Sequence, residues 1–318
     1  PDSDPVRDAE VRRERQRSDR LASVVDAAAG YFIEQVTAHP LGSMARDAGE
    51  AGGVSAEIAA SFRLGYAPHG WDGLTNHLRT KGHSPSDAEA VGLLVGKKNG
   101  SGHYDRFRHR LMFPVSDHQG RIVAFSGRQL DTPPGEEEDE DAKRAKYVNS
   151  PESPLFTKGK VLYGLHEGRV PIRRGGWVVV CEGNFDLVKL HQGGFDNAVA
   201  PLGTSLTEDH AKLLKRFAER VVLLFDGDAA GGRAVRKSYD VLQKYGLSTQ
   251  VVTLPPGDDP DTFLTREGNE ALQRHIDAAP GIVEHLIDAA AAGAASICRC
   301  RASAVPYTHR TLPTGDSV

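Results

Sequence analysis

Cysteine, tryptophan and methionine are scarce in this chain, with three, two and two copies among 318 residues. Three cysteines are too few for a framework of disulfide bonds, and their scarcity favours a reducing compartment. No apolar run approaches the roughly 18–20 residues of a membrane-spanning helix. The charged start of the chain predicts no signal peptide. These features disfavour a disulfide-stapled secreted domain and a helical membrane protein.

An excess of positive charge is also lacking, since the formal net charge is −4. The composition therefore indicates no overall basic field for nucleic acid, and the local distribution of charge has to decide. With 39% hydrophobic and 26% charged residues, the chain fits a globular soluble class. Its length suits two or three domains. The first residue is Pro1 rather than methionine, and we expect a fragment of a longer protein.

Three apolar runs in the second half of the chain each lead into acidic residues. The runs and their acids are residues 177–180 with Glu182 and Asp186, residues 221–225 with Asp226 and Asp228, and residues 250–254 with Asp258, Asp259 and Asp261. A short apolar run bounded by turn residues is typical of a buried parallel strand. One acid after a strand is often only a helix N-cap, but three such strand ends favour a ligand-binding edge. Carboxylates this close together suit Mg²⁺.

Helical patterns fill the gaps between these runs and much of the first half of the chain. We predict helices at residues 21–36, 55–64, 72–81, 84–94, 186–191, 207–218, 229–245, 261–267, 269–279 and from 281 onward. Ser55 and Thr207 are predicted N-caps, and Gly65 is a predicted C′ residue. The alternation of strands and helices after residue 177 predicts a parallel sheet with right-handed crossovers. Residues 1–20 carry no core pattern and are interpreted as a solvated linker or an exposed helix.

A strip of basic residues lies between the predicted helices of the first hundred residues and the three acid-bearing runs. Residues 104–115 alternate basic and bulky side chains, and residues 120–128 follow as the return strand of a predicted hairpin. With a period of two, Arg106, Arg108 and Arg110 would share one strand face. A solvated strand face is the structural alternative to a nucleic-acid contact.

In combination these motifs resemble the catalytic core of bacterial DnaG-type primases, which carries a Toprim domain. The resemblance spans roughly residues 20–285. In the second half of the chain it uses three phrases: Glu182-Gly183-Asn184-Phe185-Asp186, residues 201–207 and residues 225–231. In the first half it uses residues 64–68, 106–128 and 146–159. It implies an α/β fold with a Toprim parallel sheet flanked by helices, an N-terminal α+β subdomain and the start of a C-terminal helical subdomain. The implied divisions are a linker (1–20), an N-terminal core subdomain (21–170), a Toprim domain (171–260), a partial helical subdomain (261–295) and an unassigned tail (296–318).

The resemblance further implies the synthesis of short RNA primers from ribonucleoside triphosphates on single-stranded DNA, by metal-dependent nucleotidyl transfer. It assigns catalysis to Glu182, Asp226 and Asp228. It assigns Mg²⁺ or Mn²⁺ binding to these three residues with Asp186, Asp259 and Asp261, and whether Glu182 is a general base or a metal ligand stays open. Nucleotide or nucleic-acid binding is assigned to Arg106, Arg108, Arg110, Arg128, Lys146, Tyr147, Asn149 and Lys158.

The chain departs from the family pattern in two ways. It has no cysteine set for the family's zinc-binding domain, so we expect no zinc, and the family's helicase-docking domain is missing, so we expect no stable helicase partner. We expect weak and poorly sited priming activity, in the bacterial cytoplasm at the replisome and not at a membrane. The alternatives are a Toprim nuclease or topoisomerase, and a non-catalytic remnant that binds nucleic acid. The acidic loop at residues 131–142 is interpreted as an insertion.

Overall fold

The structure is a computed structural model that describes residues 5–98, 100, 102–132, 145–225, 229–255, 257–287 and 291. Its helices are α1 (Pro5–Ala38), α2 (Gly42–Ala51), α3 (Ala56–Ser61), α4 (Gly73–Thr80), α5 (Pro85–Ala90), α6 (Leu165–Gly175), α7 (Asn184–Gln192), α8 (Glu208–Lys215), α9 (Ala229–Lys244), α10 (Pro260–Glu267) and α11 (Asn269–Asp277). Its strands are β1 (Gly65–Ala67), β2 (Leu94–Gly96), β3 (His103–Asp105), β4 (Arg110–Ser116), β5 (Ile122–Gln129), β6 (Tyr147–Asn149), β7 (Leu162–Tyr163), β8 (Trp177–Val180), β9 (Ala198–Pro201), β10 (Arg220–Phe225) and β11 (Ser248–Thr253).

The first helix is longer than the sequence pattern predicts. Its buried residues begin at Leu21 and recur with helical spacing through Phe32, which matches the predicted amphipathic segment. The preceding turns of α1 are exposed. Of the two predicted alternatives, a solvated linker or an exposed helix, residues 5–20 therefore form the exposed helix.

A four-stranded antiparallel sheet with the order β1-β4-β5-β6 packs against α1. The predicted hairpin is confirmed as β4 and β5, which pair from Arg110 with Gln129 to Ser116 with Ile122. Ser55 caps α3 as predicted, because its side chain accepts a hydrogen bond from the backbone N–H of Ile58.

The prediction that Gly65 ends α3 is wrong. The helix ends at Ser61, Arg63 adopts the left-handed conformation with a φ of 54°, and Gly65 opens β1. A Cβ on Gly65 would lie 2.7 Å from the Cβ of Phe32. Glycine at this position therefore allows β1 to pack closely on α1.

The second sheet has five strands in the order β11-β10-β8-β9-β7. Strands β8, β9, β10 and β11 are parallel, which confirms the predicted parallel arrangement, and β7 pairs with β9 in the antiparallel direction. Strands β7 and β9 are not among the predicted strands, and they have only two and four residues. Helices α7, α8 and α9 connect the parallel strands. Thr207 caps α8 as predicted, in a capping box with His210.

One hydrophobic core joins the two sheets. Tyr66 and Phe113 of the antiparallel sheet belong to the same buried cluster as Val179 and Leu224 of the parallel sheet and Leu187 of α7. The relative position of the two sheets is therefore fixed by apolar packing. Among the described residues, no helix has the length and apolar character needed to cross a membrane.

Three expectations fall wholly or partly outside the described residues. Of the acidic loop at 131–142, only residues 131 and 132 are described. The helix expected from residue 281 is seen at 282–287 and 291. The tail at 296–318 lies outside the described part of the chain.

Candidate active site

The parallel sheet brings three acid-bearing segments to one edge. In the strand register, Val180 of β8 lies beside Leu223 of β10, and Phe225 of β10 lies beside Thr253 of β11. The chain segments after these three strands therefore leave the sheet on the same side. Asp226 and Asp228 follow β10 directly and lie outside the described residues.

The turn between β8 and α7 places two of the predicted acids. Glu182 is exposed at the carboxyl end of β8, and Asp186 stands in the first turn of α7, where the helix dipole favours an acid. A Cβ on Gly183 would come within 2.1 Å of Oδ2 of Asp186. The carboxylate of Asp186 therefore lies against the backbone of this turn, in space that a side chain at Gly183 would fill.

The acids after β11 have distinct partners. Oδ1 of Asp259 accepts a hydrogen bond of 2.7 Å from the backbone N–H of Thr262, which makes Asp259 the N-cap of α10. Oδ1 of Asp261 lies 2.9 Å from Nζ of Lys189. Two nitrogens of Arg266 donate to the two carboxylate oxygens of Asp258, and these bonds lower the pKa of Asp258. Asp258 is thus held in a bidentate ion pair with α10.

Tyr147 of β6 connects these acids to the antiparallel sheet. Burial raises the pKa of its phenol, Arg128 lowers it, and the carboxylates of Asp186 and Asp261 raise it further. Arg128, Asp186 and Asp261 therefore all lie within electrostatic range of the Tyr147 phenol. The structure brings together two metal-ligand candidates and two nucleotide-binding candidates that are far apart in the sequence.

Arg128 and Asn149 face this region from the neighbouring strands β5 and β6. The guanidinium carbon of Arg128 lies 4.5 Å from the centroid of the Phe185 ring. Oδ1 of Asn149 is buried and has no hydrogen-bond partner among the described residues. A Cβ on Gly203, which has a φ of 65°, would lie 2.8 Å from Nδ2 of Asn149. Asn149 therefore carries an unsatisfied acceptor beside a glycine turn.

The prediction that Arg106, Arg108 and Arg110 share one strand face is wrong. Strand β3 ends at Asp105 and β4 begins at Arg110, so Arg106 and Arg108 lie in the irregular segment between them. His109, with a φ of 50°, turns the chain just before β4. A period of two does not extend across such a break.

The three arginines consequently have different surroundings. Arg110 is only 2% exposed, and its Nη1 donates to the carbonyl oxygens of Gly127 and Ala145. The guanidinium of Arg108 lies 4.0 Å from the centroid of the Trp71 ring, which is itself exposed. Nε of Arg106 is buried without a hydrogen-bond partner in the described structure. Arg106 and Arg108 form the more accessible part of the basic strip.

The two predicted lysines lie at either end of the segment 146–158. Lys146 is exposed, next to Tyr147. Lys158 begins a 3₁₀ turn at Lys158–Lys160, and its carbonyl oxygen accepts a hydrogen bond of 3.0 Å from Nε2 of His210. His210 is fully buried, and burial lowers its pKa. The capping box of α8 therefore fixes the backbone that carries Lys158.

The donor set at this edge fits a hard divalent cation. Glu182, Asp186, Asp259 and Asp261 all supply carboxylate oxygens, the ligand type that Mg²⁺ prefers, and the space over Gly183 accommodates one of them. Within the described residues, no group of three or more histidine, cysteine or acidic side chains is close enough to hold a metal ion. Asp226 and Asp228 are not among these residues.

Three residues at this edge were not singled out from the sequence. Nδ2 of Asn184 donates to Oγ of Ser126 over 2.7 Å, and both residues are buried. Lys189 is the ion-pair partner of Asp261. Lys189 follows Asp186 by three positions on α7, and this helical spacing could have placed the two on one face. No local pattern marks the bond between Asn184 and Ser126, which are 58 residues apart.

Comparisons with known proteins agree with this arrangement. A family model described as "DNA primase catalytic core, N-terminal domain" matches residues 31–169, and one described as "Toprim-like" matches residues 179–264. The DNA primase of Clostridium acetobutylicum is 37% identical over 287 residues, which cover 90% of this chain and 46% of that protein. The chain thus spans less than half the length of this relative.

Solved structures show the same likeness over most of this chain. The RNA polymerase domain of the Mycobacterium tuberculosis primase DnaG is 33% identical, with a TM-score of 0.78, over 89% of this chain and 91% of that one. A DnaG primase catalytic domain bound to single-stranded DNA is 35% identical, with a TM-score of 0.75 and 86% of both chains covered. This chain belongs to the DnaG-type DNA primase family, and it carries that family's catalytic core with a Toprim domain.

Proposed function

We propose that this chain is a primase core that joins ribonucleoside triphosphates into short RNA primers on single-stranded DNA. The observation that carries the proposal is the junction of β8 and α7. Glu182 and Asp186 stand on this junction, and Phe185 between them contacts Arg128 of the antiparallel sheet. The acids of one sheet and the basic group of the other thus meet at one place. The names of the relatives and the single-stranded DNA bound to one of them support this choice of substrate.

In this reaction the 3′-hydroxyl of the growing chain attacks the α-phosphate of the next triphosphate, and pyrophosphate leaves. We assign the binding of Mg²⁺ or Mn²⁺ to Glu182, Asp186, Asp226 and Asp228, with Asp259 and Asp261. A divalent cation bound there would lower the pKa of the attacking hydroxyl and neutralise the triphosphate oxygens. The protein needs little covalent chemistry for this transfer, because positioning and charge supply most of the rate. Glu182 is exposed at the end of its strand, where its carboxylate is accessible to the reacting groups.

We assign the binding of the incoming nucleotide to the side of the site that β5 and β6 form. Arg128, braced by Phe185, and the exposed Lys146 would bind the triphosphate. The buried acceptor Oδ1 of Asn149 would take a hydrogen bond from a hydroxyl or amino group of the nucleotide, which would satisfy it. Tyr147 would add a directional hydrogen bond.

We assign the binding of template and primer to the remaining basic side chains. Arg106 and Arg108 lie outside the hairpin ladder, and Arg108 stacks on an exposed tryptophan, an arrangement that suits contact with phosphates and unstacked bases. Lys158 would contact phosphate from its fixed 3₁₀ turn.

We also propose that the N-terminal subdomain ends near residue 170 and the Toprim domain near residue 260. Primer synthesis on a bacterial chromosome would place the chain in the cytoplasm.

The test uses the wild-type chain with single-stranded DNA, the four ribonucleoside triphosphates and Mg²⁺ or Mn²⁺. We expect short RNA products that require the metal and the template. Cutting of the template would instead indicate a Toprim nuclease, and relaxation of supercoiled plasmid in a parallel reaction would indicate a topoisomerase. Either result without RNA products would overturn the proposal, as would the absence of any product at high protein concentration with Mn²⁺.

A further inference from the structure

Lys189 is a charged residue beside the predicted metal-binding acids of the described structure, which we call the acid cluster: Glu182, Asp186, Asp259 and Asp261. Its side chain is only 11% exposed, and its Nζ lies 2.9 Å from Oδ1 of Asp261. The same ammonium donates to the carbonyl oxygen of Gly52 over 2.8 Å. A lysine is rarely this buried unless its charge is paired, so both contacts are needed to hold it.

The protein leaves a shaped space for this ammonium. A Cβ on Gly53, which has a φ of 73°, would lie 2.3 Å from Nζ of Lys189. Gln192, on the same helix as Lys189, donates to the carbonyl oxygen of Gly53 and accepts from the backbone N–H of Ser55. The segment at residues 52–55 is therefore fastened to α7, and the position of Lys189 does not depend on Asp261 alone.

The location of Lys189 matters because of what surrounds it. It follows Asp186 by one turn of α7, and its ion-pair partner Asp261 stands in the first turn of α10. The fixed positive charge of Lys189 is therefore in contact with one of the predicted metal-binding acids and one helical turn from another. A divalent cation brought to Asp261 would be repelled by this ammonium.

We propose that the ammonium of Lys189 neutralises Asp261 and thereby weakens the binding of divalent metal ions at the Asp259 and Asp261 side of the cluster. This inference rests on the proposed metal-dependent function. Asp259 already caps α10, and Asp261 is already paired with an ammonium, so metal binding on this side of the site has to compete with both contacts. Lys189 is in this sense a residue that sets metal affinity and not a catalytic residue.

The experiment is a titration with Mn²⁺, followed by calorimetry and by the electron paramagnetic resonance signal of free Mn²⁺. We compare the wild type with Lys189→Met, which keeps the apolar stem, and Lys189→Arg, which keeps the charge. Lys189→Met is expected to bind Mn²⁺ about tenfold more tightly at one site, or to bind one additional ion, because the repulsion is removed. Lys189→Arg is expected to match the wild type, and Asp261→Asn is expected to cancel the gain when added to Lys189→Met.

A second lysine provides the matched control. Nζ of Lys244 also lies 2.9 Å from a carboxylate oxygen, that of Glu208, but this exposed pair joins α9 to α8. Lys244→Met is expected to leave the Mn²⁺ isotherm unchanged. If Lys189→Met does not fold, as judged by circular dichroism, Lys189→Gln replaces it.

The outcomes separate this inference from the proposed function. Identical Mn²⁺ isotherms for the wild type and the neutral Lys189 variant would overturn the role of Lys189 alone. An equal gain in Lys244→Met would also overturn it, because a general change in charge would then explain the effect. No Mn²⁺ binding by any variant, together with no RNA product, would overturn the proposed function and this inference with it.

Discussion

The guanidinium of Arg128 lies over the ring of Phe185, with 4.5 Å between its central carbon and the ring centroid. Arg128 belongs to β5 of the antiparallel sheet, and Phe185 belongs to α7, which connects β8 to β9 of the parallel sheet. The Phe185 ring is in turn packed against Gly52, where a Cβ would lie 2.0 Å from its Cζ. The contact therefore joins the two halves of the core at the position of the acids.

Replacing Phe185 by leucine should weaken nucleotide binding. Leucine keeps an apolar side chain but removes the aromatic face, and a cation–π contact of this kind contributes about 0.5–2 kcal/mol. We expect the KM for ribonucleoside triphosphates to rise several-fold in steady-state primer synthesis. The matched control is Phe217→Leu, because Arg173 lies 4.6 Å from the Phe217 centroid away from the site. Equal KM values in the two variants would contradict the role of Arg128.

Gly183→Ala should reduce activity and leave the fold intact. The backbone at Gly183 is extended, with φ −96° and ψ 144°, so alanine is tolerated there. Its Cβ would displace the carboxylate of Asp186, which lies 2.1 Å from that position. We expect primer synthesis to fall at least tenfold with little change in the melting temperature. Gly30→Ala, in open space on α1, is the control and should be fully active.

The buried hydrogen bond between Asn184 and Ser126 should support both stability and catalysis. Asn184→Ala leaves the hydroxyl of Ser126 buried without this partner, at an expected cost of about 1–3 kcal/mol in the free energy of unfolding. Because Asn184 lies between Glu182 and Asp186, kcat should fall as well. Asn197→Ala removes another buried asparagine bond, to the carbonyl of Trp177 at the opposite edge of the sheet. If kcat falls equally in that control, the effect of Asn184 is not specific to the site.

His210 should make the stability of the fold depend on pH. Burial lowers its pKa from the usual value of 6.5 in the folded state, where Nδ1 faces the N–H of Thr207 and Nε2 faces two carbonyl oxygens. Below about pH 6.5 the unfolded chain therefore binds the proton more readily, so the free energy of unfolding decreases as the pH falls. Above that pH, the neutral His210 makes its full contribution to the free energy of unfolding.

Denaturant titrations between pH 7 and pH 5 measure this contribution. His210→Gln is expected to lose less stability over this interval than the wild type does. His191 of α7 is partly buried, and this burial also lowers its pKa, so His191→Gln should show the same sign. Wild-type and variant curves that run parallel over the interval would contradict the assignment to His210.

Local sequence patterns predicted the parallel sheet and the acid-bearing edge. Continuous apolar runs identify β8 and β10 because both faces of these strands are buried. The edge strand β11 has a shorter apolar run, and its consecutive buried residues are Val251 and Val252. Capping chemistry likewise identified Ser55 and Thr207. These features depend on near neighbours in the chain, and the sequence therefore shows them.

Features that depend on distant contacts could not be predicted in this way. The basic strip is broken because the buried carboxylate of Asp105 accepts hydrogen bonds from the first turn of α4, at Leu74 and Thr75. The contact of Lys189 with Gly52 joins residues 137 positions apart. No periodicity in the sequence reports such contacts, because they arise only when the two sheets pack together.

The most direct test of the proposed active site is the rate of ribonucleotide incorporation by Glu182→Gln beside Glu219→Gln. Both glutamates are exposed and adjoin strands of the same sheet, Glu182 at its carboxyl edge and Glu219 at its amino edge. The proposed site predicts that Glu182→Gln loses at least a hundredfold in rate with an unchanged melting temperature, while Glu219→Gln keeps the wild-type rate. Equal rates in the two variants would contradict the assignment of catalysis to the carboxyl edge of the Toprim sheet.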